Sequence, residues 1–323
     1  MQASEKEQWS ADKELAGFDV LALSTGQAPA YRATLVRACD NPVKAKGTIV
    51  YLHGMTDYFF QAHLAHALVE AGFAFYALDL HGYGRSLNGD THPNYCSRVD
   101  EYFAEIDLAL KTIKSETTGP LVVNAHSTGG LIASLYAHRG AERKLIDGLC
   151  LNSPFFEFPA HGVELFGIKV LAWLGRWLPY LSYSRKTPSL YAQSIHQSFR
   201  GQWQYNTTIK PAEGFPLYLG WIRAIVIAQR ELQAGLAIEC PVLVMHSSRS
   251  IRGLGQWQDD MLSTDAVLDV EDMRRYGPGL GAKVSMVEVE GGMHDLMLST
   301  ESVRRDTLSQ MYTWLGQIIA SVE

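Results

Sequence analysis

The chain is predicted to be an α/β protein whose mostly parallel central sheet is flanked by helices and interrupted by one long insertion. Two patterns in its 323 residues predict this fold class. Short apolar runs alternate with amphipathic helical segments, as expected of parallel strands that are buried on both faces. The alternation stops between about residues 155 and 237 and then resumes, which places the insertion inside an otherwise regular domain.

The first segments have the composition of strands. Residues 17–24 and 31–38 are rich in β-favouring side chains and are bounded by turn residues, which predicts an antiparallel hairpin. Beyond them, apolar runs predict strands, and apolar residues three and four positions apart predict helices. The predicted strands are 47–52, 73–78, 121–123, 148–151, 241–245 and 283–289, and the predicted helices are 62–71, 99–115, 131–138 and 304–321.

The insertion, residues 155–237, is crowded with aromatic side chains and carries five prolines. Because proline breaks the interior of a helix, we predict a mainly helical segment that is divided into several short helices. The core of the domain is then predicted to comprise residues 1–154 and 238–323.

The composition argues against several classes of function. The chain has 28 basic and 34 acidic residues without a basic cluster, so no nucleic-acid partner is expected. The four cysteines, Cys39, Cys96, Cys150 and Cys240, are scattered and lack the spacing of a metal site. We therefore predict free thiols, no metal and no cofactor.

The cellular location is predicted from what the sequence lacks. Residues 1–17 contain no apolar core of the kind that a signal peptide needs, and no run of about 18 apolar residues occurs. No membrane-spanning segment is expected, and the expected location is the cytoplasm.

A serine stands in the glycine-rich turn 124-NAHSTGG-130, between a predicted strand and a predicted helix. A sharp strand-to-helix turn presents the hydroxyl of such a serine at the carboxyl end of the sheet, where a nucleophile is needed. Serine is also a common N-cap of a helix. Whether Ser127 is a nucleophile or an N-cap depends on whether the chain also supplies a base and an oxyanion hole.

The best candidate for the base lies in 290-EGGMHDL-296, directly after the last predicted strand. A serine at neutral pH needs a base, and all loops at the carboxyl ends of a parallel sheet open on the same crevice. His294 is therefore able to meet Ser127. His63 and His66 lie on a helix face, and His126 is expected to point into the fold, so these three are assigned structural roles.

An oxyanion hole requires backbone N–H groups that point at the developing negative charge. One N–H is expected from Thr128, the residue after the serine. The other is expected from Met55 in the loop 53-HGMTDY-58, where Gly54 allows the backbone to turn inward.

Four segments together resemble the α/β-hydrolase superfamily, and more closely its monoacylglycerol lipase, lysophospholipase and serine-aminopeptidase-like branch. They are 53-HGM-55, 79-DLHGYGRS-86, 125-AHSTGG-130 and 291-GGMHDL-296. The resemblance covers about residues 47–153 and 240–319, and the insertion matches in position only. At the serine turn the chain departs from the family pattern: Ala125 stands where glycine is normal.

The resemblance implies the α/β-hydrolase fold with a helical cap formed by the insertion. It also implies a serine hydrolase with Ser127 as nucleophile, His294 as base, and Met55 and Thr128 as oxyanion donors. The catalytic acid is harder to place, because the family's aspartate position holds Ser250 in 246-HSSRS-250. We predict Asp265, at the end of a loop lengthened by roughly fifteen residues. Asp260 and Asp269 are the alternatives.

The predicted substrate is a small carboxylic ester with an apolar acyl group, since an aromatic-rich cap favours apolar ligands. Trp221 and Ile222 are predicted to contact it. Arg249 and Arg252 are candidates for binding a carboxylate or phosphate, or are surface charges. The alternatives are an amidase, aminopeptidase or thioesterase that uses the same residues, or a non-catalytic binding protein of the same fold. The oligomeric state is left open.

Overall fold

The computed structural model describes residues 8–26, 31–89, 92–252 and 255–322. Residues 1–7, part of the segment that lacks an apolar core, lie outside the described residues. Within the described residues, nine strands form one sheet in the order β1-β2-β3-β5-β4-β6-β7-β10-β11, and β8 pairs with β9 separately. The strands are β1 Ser10–Ala11, β2 Phe18–Ser24, β3 Arg32–Ala38, β4 Thr48–Leu52, β5 Ala74–Asp79, β6 Leu121–His126, β7 Gly148–Asn152, β8 Ser182–Tyr183, β9 Leu217–Tyr218, β10 Val242–Ser247 and β11 Val284–Val289.

The sheet is parallel from β5 to β11, while β1, β2 and β3 form an antiparallel edge. The mostly parallel α/β sheet predicted above is thus confirmed. Alternate side chains of β4 enter two cores: Val50 and Leu52 pack on one face of the sheet, and Ile49 and Tyr51 pack on the other. Burial of both faces explains why these strands are continuously apolar in sequence.

Helices cover both faces of the sheet. They are α1 Ala62–Glu70, α2 Phe103–Glu116, α3 Thr128–Arg139, α4 Gly162–Leu174, α5 Leu190–Ile195, α6 Leu219–Gln233, α7 Val270–Tyr276 and α8 Glu301–Val322. Side chains of α2 and α3 belong to one core, and side chains of α1 and α8 belong to the other. The helix predicted at 99–115 begins with a separate 3₁₀ turn, Val99–Tyr102, before α2 starts.

The strand order creates a crevice at the carboxyl end of the sheet. Strand β4 has β5 on one side and β6 on the other, so the connections that leave β4 and β6 diverge. Such a switch in strand order opens a crevice outside the carboxyl ends of the strands, where ligands bind in α/β proteins. The loop with His53 and the turn with Ser127 both lie at this point.

The segment of residues 155–237 leaves the sheet between β7 and β10, which are neighbours in it. It contains α4, α5 and α6, with 13, 6 and 15 residues, and the two-residue strands β8 and β9. Loops make up the rest, so this segment has less helix than the sequence predicted. Its prolines lie outside the helices, because a helix interior does not accommodate the proline ring.

None of the helices in the described parts of the chain is long and apolar enough to cross a membrane.

Candidate active site

Ser127 occupies a sharp turn between the end of β6 and the start of α3. Its φ is 53° and its ψ is −119°, a combination that a non-glycine residue rarely adopts. Its N–H donates to the Asn152 carbonyl oxygen at 3.0 Å, and its own carbonyl accepts from the Phe155 N–H at 3.0 Å. These bonds hold the strained turn. Ser127 directly precedes α3, but its side chain makes no capping hydrogen bond to the helix. A role as helix N-cap therefore does not explain the serine at this position.

Two glycines pack closely here, Gly129 within the turn and Gly54 in the loop after β4. A Cβ on Gly129 would lie 2.3 Å from the His53 carbonyl oxygen, which no side chain tolerates. A Cβ on Gly54 would lie 3.0 Å from the Ser127 Cβ, so Gly54 serves here by its lack of a side chain. Its backbone φ is not positive, so the freedom to turn inward that the sequence suggested is not what Gly54 provides. The loop after β4 therefore lies directly against Ser127.

The structure brings His294 and Asp265 to this serine. His294 Nε2 lies 3.1 Å from Ser127 Oγ, and His294 Nδ1 lies 2.9 Å from Asp265 Oδ2. All three side chains are buried, with relative exposures of 8% for Ser127, 3% for His294 and 0% for Asp265. The other oxygen of Asp265 accepts from the N–H groups of Val267 and Leu268 at 2.8 and 2.7 Å. These bonds satisfy the carboxylate and fix its orientation toward the imidazole.

The loop that carries Asp265 returns to the position where the family pattern has its acid. Ser250 and Asp265 form an isolated parallel bridge, with the Ile251 N–H donating to the Asp265 carbonyl at 2.9 Å. The Asp265 N–H donates to the Arg249 carbonyl at 3.0 Å. The intervening residues, of which 253–254 lie outside the described residues, thus form an excursion that brings Asp265 beside Ser250.

The alternative acids have other partners. Asp260 is exposed and pairs with Arg249 at 3.2 Å. Asp269 accepts from the Glu271 N–H at 3.1 Å as the N-cap of α7, and it pairs with Arg252. Both arginines that the sequence proposed for anion binding are therefore occupied by carboxylates of the chain itself.

Met55 and Thr128, the predicted oxyanion donors, both lie at the cavity that contains Ser127. Thr128 is buried at the first position of α3, and Met55 is half-buried in the loop after β4. In the part of the chain that the structure describes, no protein group accepts a hydrogen bond from either N–H. Two unpaired donors at the serine are the arrangement that an oxyanion hole requires.

A second buried acid, Asp295, lies next to His294 in sequence and was missed by sequence reasoning. Its carboxylate accepts from Asn152 Nδ2 at 2.7 Å, from Gln61 Nε2 at 3.1 Å and from the Met297 N–H at 3.0 Å. Burial raises its pKa, but the nearby His126 and these hydrogen bonds outweigh burial and hold the pKa below its ordinary value. The HD pair in GGMHDL was the only sign of it in the sequence.

His126, predicted to point into the fold, is buried and lies against His294, with 4.8 Å between the ring centroids. Its Nδ1 lies 3.2 Å from the Asn152 carbonyl oxygen. Burial lowers the pKa of His126, partly offset by the charge of Asp295.

We expect the free energy of unfolding to fall as the pH drops below about 6.5. Burial lowers the pKa values of His63, His126 and His246 from the ordinary value of 6.5, so below that pH the unfolded chain binds more protons than the folded chain. Thermal unfolding measured between pH 8 and pH 5.5 checks this. No group in the described parts of the chain hydrogen-bonds to the buried His246 Nε2, and His246→Gln should make the dependence of stability on pH less steep. An unchanged slope in the variant would contradict the assignment.

The cavity at the serine has a volume of about 1070 Å³ and is walled by both parts of the chain. The sheet side contributes Ser127, His294 and the loop after β4. The segment of residues 155–237 contributes mainly apolar and aromatic side chains, among them Phe155, Phe158, Leu190, Tyr191, Leu217 and Trp221.

Of the two residues predicted to contact substrate, only Trp221 lines this cavity. Ile222 is buried among the apolar side chains of the core instead. Successive residues of a helix point about 100° apart, so adjacent positions on α6 face different surroundings. We therefore do not retain Ile222 as a substrate contact.

A buried ion pair in the cavity wall was also missed. Lys210 Nζ lies 2.7 Å from Asp57 Oδ1, and their side chains are only 9% and 5% exposed. Asp57 belongs to the loop 53-HGMTDY-58, whereas Lys210 comes from the inserted segment. The sequence contains no pattern that pairs residues separated by 153 positions.

Comparison with known proteins places the chain in a family. The family model described as "Serine aminopeptidase, S33" matches residues 43–250, well over half of the chain. No curated protein sequence matches the chain significantly.

Solved structures show the same fold at low sequence identity. A soluble variant of monoglyceride lipase from Saccharomyces cerevisiae, in complex with a substrate analog, is 16% identical, with a TM-score of 0.65, over 97% of this chain and 96% of that one. Monoacylglycerol lipase from Paleococcus ferrophilus is 20% identical, with a TM-score of 0.62, over 86% and 95%. A thermostable carboxyl esterase from Bacillus coagulans is 15% identical, with a TM-score of 0.60, over 94% and 100%.

The extent of the family match, the parallel sheet and the strained serine turn at its carboxyl end lead to one assignment. The protein is a serine-hydrolase-type α/β-hydrolase of the S33 serine aminopeptidase family.

Proposed function

We propose that the protein is a carboxylesterase of the lipase or lysophospholipase type, with Ser127, His294 and Asp265 as its catalytic triad. One observation carries the proposal: a continuous buried contact chain from Asp265 Oδ2 through His294 to Ser127 Oγ, with distances of 2.9 and 3.1 Å. This is the geometry in which a base activates a serine hydroxyl and an acid orients the base.

In the first half of the proposed reaction, Ser127 Oγ attacks the acyl carbon while His294 Nε2 takes its proton. Asp265 accepts the Nδ1–H of His294 and stabilises the imidazolium that forms. The N–H groups of Met55 and Thr128 bind the oxyanion of the tetrahedral intermediate. His294 then gives its proton to the departing alcohol, which leaves an acyl group on Ser127.

In the second half, water takes the place of the alcohol. His294 Nε2 accepts a proton from water, whose oxygen attacks the acyl carbon. The same two N–H groups bind the second oxyanion. Collapse of this intermediate releases the carboxylic acid and returns the proton to Ser127 Oγ.

The cavity supports an apolar acyl group. Its walls are largely aromatic and aliphatic, and its volume of about 1070 Å³ exceeds that of a small acetyl ester. Each Å² of apolar surface that the substrate buries contributes about 25 cal/mol to binding. A long acyl chain therefore gains more from this cavity than a short one.

The outer surface of the inserted segment also supports a lipid-like substrate. Ten of the thirteen large apolar side chains that are exposed in the described residues lie between residues 163 and 183. The only charged residues between 162 and 187 are Glu164, Lys169, Arg176, Arg185 and Lys186, a net positive set in a chain of net charge −6. An exposed apolar face with basic residues suits contact with a lipid surface.

An aminopeptidase is the alternative that the family description suggests. Such an enzyme must bind the protonated amino group of its substrate, which calls for an unpaired carboxylate near the serine. Among the described residues, Asp57 and Glu213 are the carboxylates that line the cavity. Asp57 is neutralised by Lys210, and Glu213 is exposed, so we favour the ester.

Hydrolysis of p-nitrophenyl esters from acetate to palmitate tests this proposal. We expect kcat/KM to rise beyond acetate as the acyl chain fills the apolar cavity. Aminoacyl p-nitroanilides serve as the comparison substrates and should react slowly. A fluorophosphonate probe should label native protein and not heat-denatured protein. Preferential cleavage of the anilides would favour the aminopeptidase, and absence of both turnover and labelling would favour a non-catalytic binding protein.

A further inference from the structure

The loop after β4 has a strained residue directly after Met55. Thr56 has a φ of 49°, in the left-handed region that β-branched residues avoid. Such a conformation is strained and persists only where the surroundings hold it. The strain lies one residue from a proposed oxyanion donor, so whatever holds Thr56 also determines where the Met55 N–H lies.

Side chains from two distant parts of the chain hold both backbone polar groups of Thr56. Its N–H and its hydroxyl donate to Asn94 Oδ1 at 2.8 and 3.0 Å. Its carbonyl oxygen accepts from Lys210 Nζ at 3.2 Å. Asn94 is fixed in turn by donating to the Gly82 carbonyl at 3.0 Å. The core holds one side of the Thr56 backbone, and the inserted segment holds the other.

The Lys210 ammonium is enclosed on several sides. Besides the Thr56 carbonyl it contacts Asp57 Oδ1 at 2.7 Å, and it lies 5.4 Å from the ring centroids of both Phe60 and Tyr205. A buried ion pair is a poor source of stability, because the loss of hydration offsets the attraction of the charges. Stability alone therefore does not explain the enclosed ion pair of Lys210 and Asp57. Its contact with the Thr56 carbonyl suggests a different role.

The backbone that carries Lys210 is itself tied to the core. The Lys210 N–H donates to the Asn206 carbonyl at 3.0 Å. The Asn206 N–H donates to the Tyr58 hydroxyl at 3.0 Å, and its side-chain amide donates to Glu14 at 3.0 Å. The backbone from which the Lys210 side chain reaches the loop is therefore held in place.

We propose that Lys210 is a positioning residue for the oxyanion hole. Lys210 donates a hydrogen bond to the Thr56 carbonyl and pairs with the Asp57 carboxylate. These two contacts keep the strained turn in the conformation that directs the Met55 N–H at the acyl oxygen. Lys210 acts on the reaction through this loop and does not touch the reacting atoms. The inference rests on the proposed function, in which Ser127 is the nucleophile and Met55 is an oxyanion donor.

Three variants test it: Lys210→Met, the double variant Lys210→Met with Asp57→Asn, and the exposed control Lys144→Met from the short turn between α3 and β7. With a medium-chain p-nitrophenyl ester, Lys210→Met should lower kcat about 10- to 100-fold, since small misplacements of catalytic groups cost this much. KM should stay within about twofold. The rate of fluorophosphonate labelling should fall by a similar factor, because that reaction also places an oxyanion in the hole. Lys144→Met should retain the wild-type kcat.

The double variant separates positioning from folding. Lys210→Met alone leaves Asp57 buried and unpaired, which should lower the Tm, and neutralising Asp57 should restore the Tm. The proposal expects kcat to stay low, because the Thr56 carbonyl still lacks its donor. Recovery of kcat together with Tm would overturn it. So would a rise in KM at unchanged kcat, which would make Lys210 a substrate contact. If the wild-type protein shows neither ester turnover nor fluorophosphonate labelling, the proposed function itself would be refuted.

Discussion

Replacing Ser127 by alanine is expected to lower kcat for ester hydrolysis by about 10⁶-fold, the loss found when a serine protease loses its nucleophile. The acyl-enzyme cannot form without the hydroxyl, and only binding and the oxyanion donors remain to assist water. Steady-state turnover of a medium-chain p-nitrophenyl ester measures the loss, and mass spectrometry after fluorophosphonate treatment shows whether a phosphonyl group is still attached.

Ser134→Ala is the matched control for this experiment. Ser134 lies in α3, seven positions after Ser127, and its hydroxyl donates to the Gly130 carbonyl at 2.7 Å. Ser134 does not line the cavity that contains Ser127 and His294, so kcat should change little. Retained turnover in Ser127→Ala, with a large loss in another serine variant, would show that the nucleophile has been assigned to the wrong residue.

Replacing Asp265 by asparagine is expected to lower kcat by about 10⁴-fold at neutral pH, as in the corresponding variant of a serine protease. Asparagine has nearly the same shape, but its amide can donate to His294 Nδ1 and so favours the wrong tautomer of the imidazole. It also fails to stabilise the imidazolium. A kcat profile between pH 6 and pH 10 measures the loss, which should be partly recovered at high pH, where hydroxide replaces the missing base.

Asp260→Asn is the control for the acid, because Asp260 is exposed and pairs with Arg249. Its kcat should match that of the wild type. If Asp260→Asn or Asp269→Asn lowers kcat while Asp265→Asn does not, the long loop places a different carboxylate at His294 in solution. The proposed triad would then be revised without changing the assignment of Ser127.

The nucleophile turn was the easiest part of the site to predict, because its requirements are local. Ser127, Gly129 and the flanking strand and helix lie within a few residues of each other, so one short motif is enough to identify the turn. His294 was predictable for a related reason: a loop at the carboxyl end of a parallel strand opens on the same crevice as the other such loops.

The catalytic acid was harder to predict from the sequence than the nucleophile or the base. The sequence offered Asp260, Asp265 and Asp269 as candidates, and nothing local distinguishes a buried carboxylate from a solvated one. The structure distinguishes them by the bridge between Ser250 and Asp265, which brings the Asp265 carboxylate within hydrogen-bond distance of His294. Its catalytic role stays a prediction until the variants are measured.

The residue pairs that surround the proposed triad could not be predicted from the sequence. The pairs Asp57 with Lys210 and Asp295 with Asn152 are separated by 153 and 143 positions. No periodic pattern relates such residues, since each pair exists only because two loops pack together. The same holds for Ile222, whose orientation on α6 depends on which side of that helix faces the cavity.

The sequence by itself determined the mostly parallel α/β sheet, the family, and the order along the chain of the loop with Met55, the turn with Ser127 and the loop with His294. These follow from hydrophobic periodicity and short motifs, whose physical causes act over a few residues. Only the tertiary structure decided which aspartate faces His294, which residue of α6 lines the cavity, and how Lys210 reaches Thr56. Those outcomes depend on the packing of distant loops, where burial and hydrogen bonding select one arrangement from many that the local sequence permits.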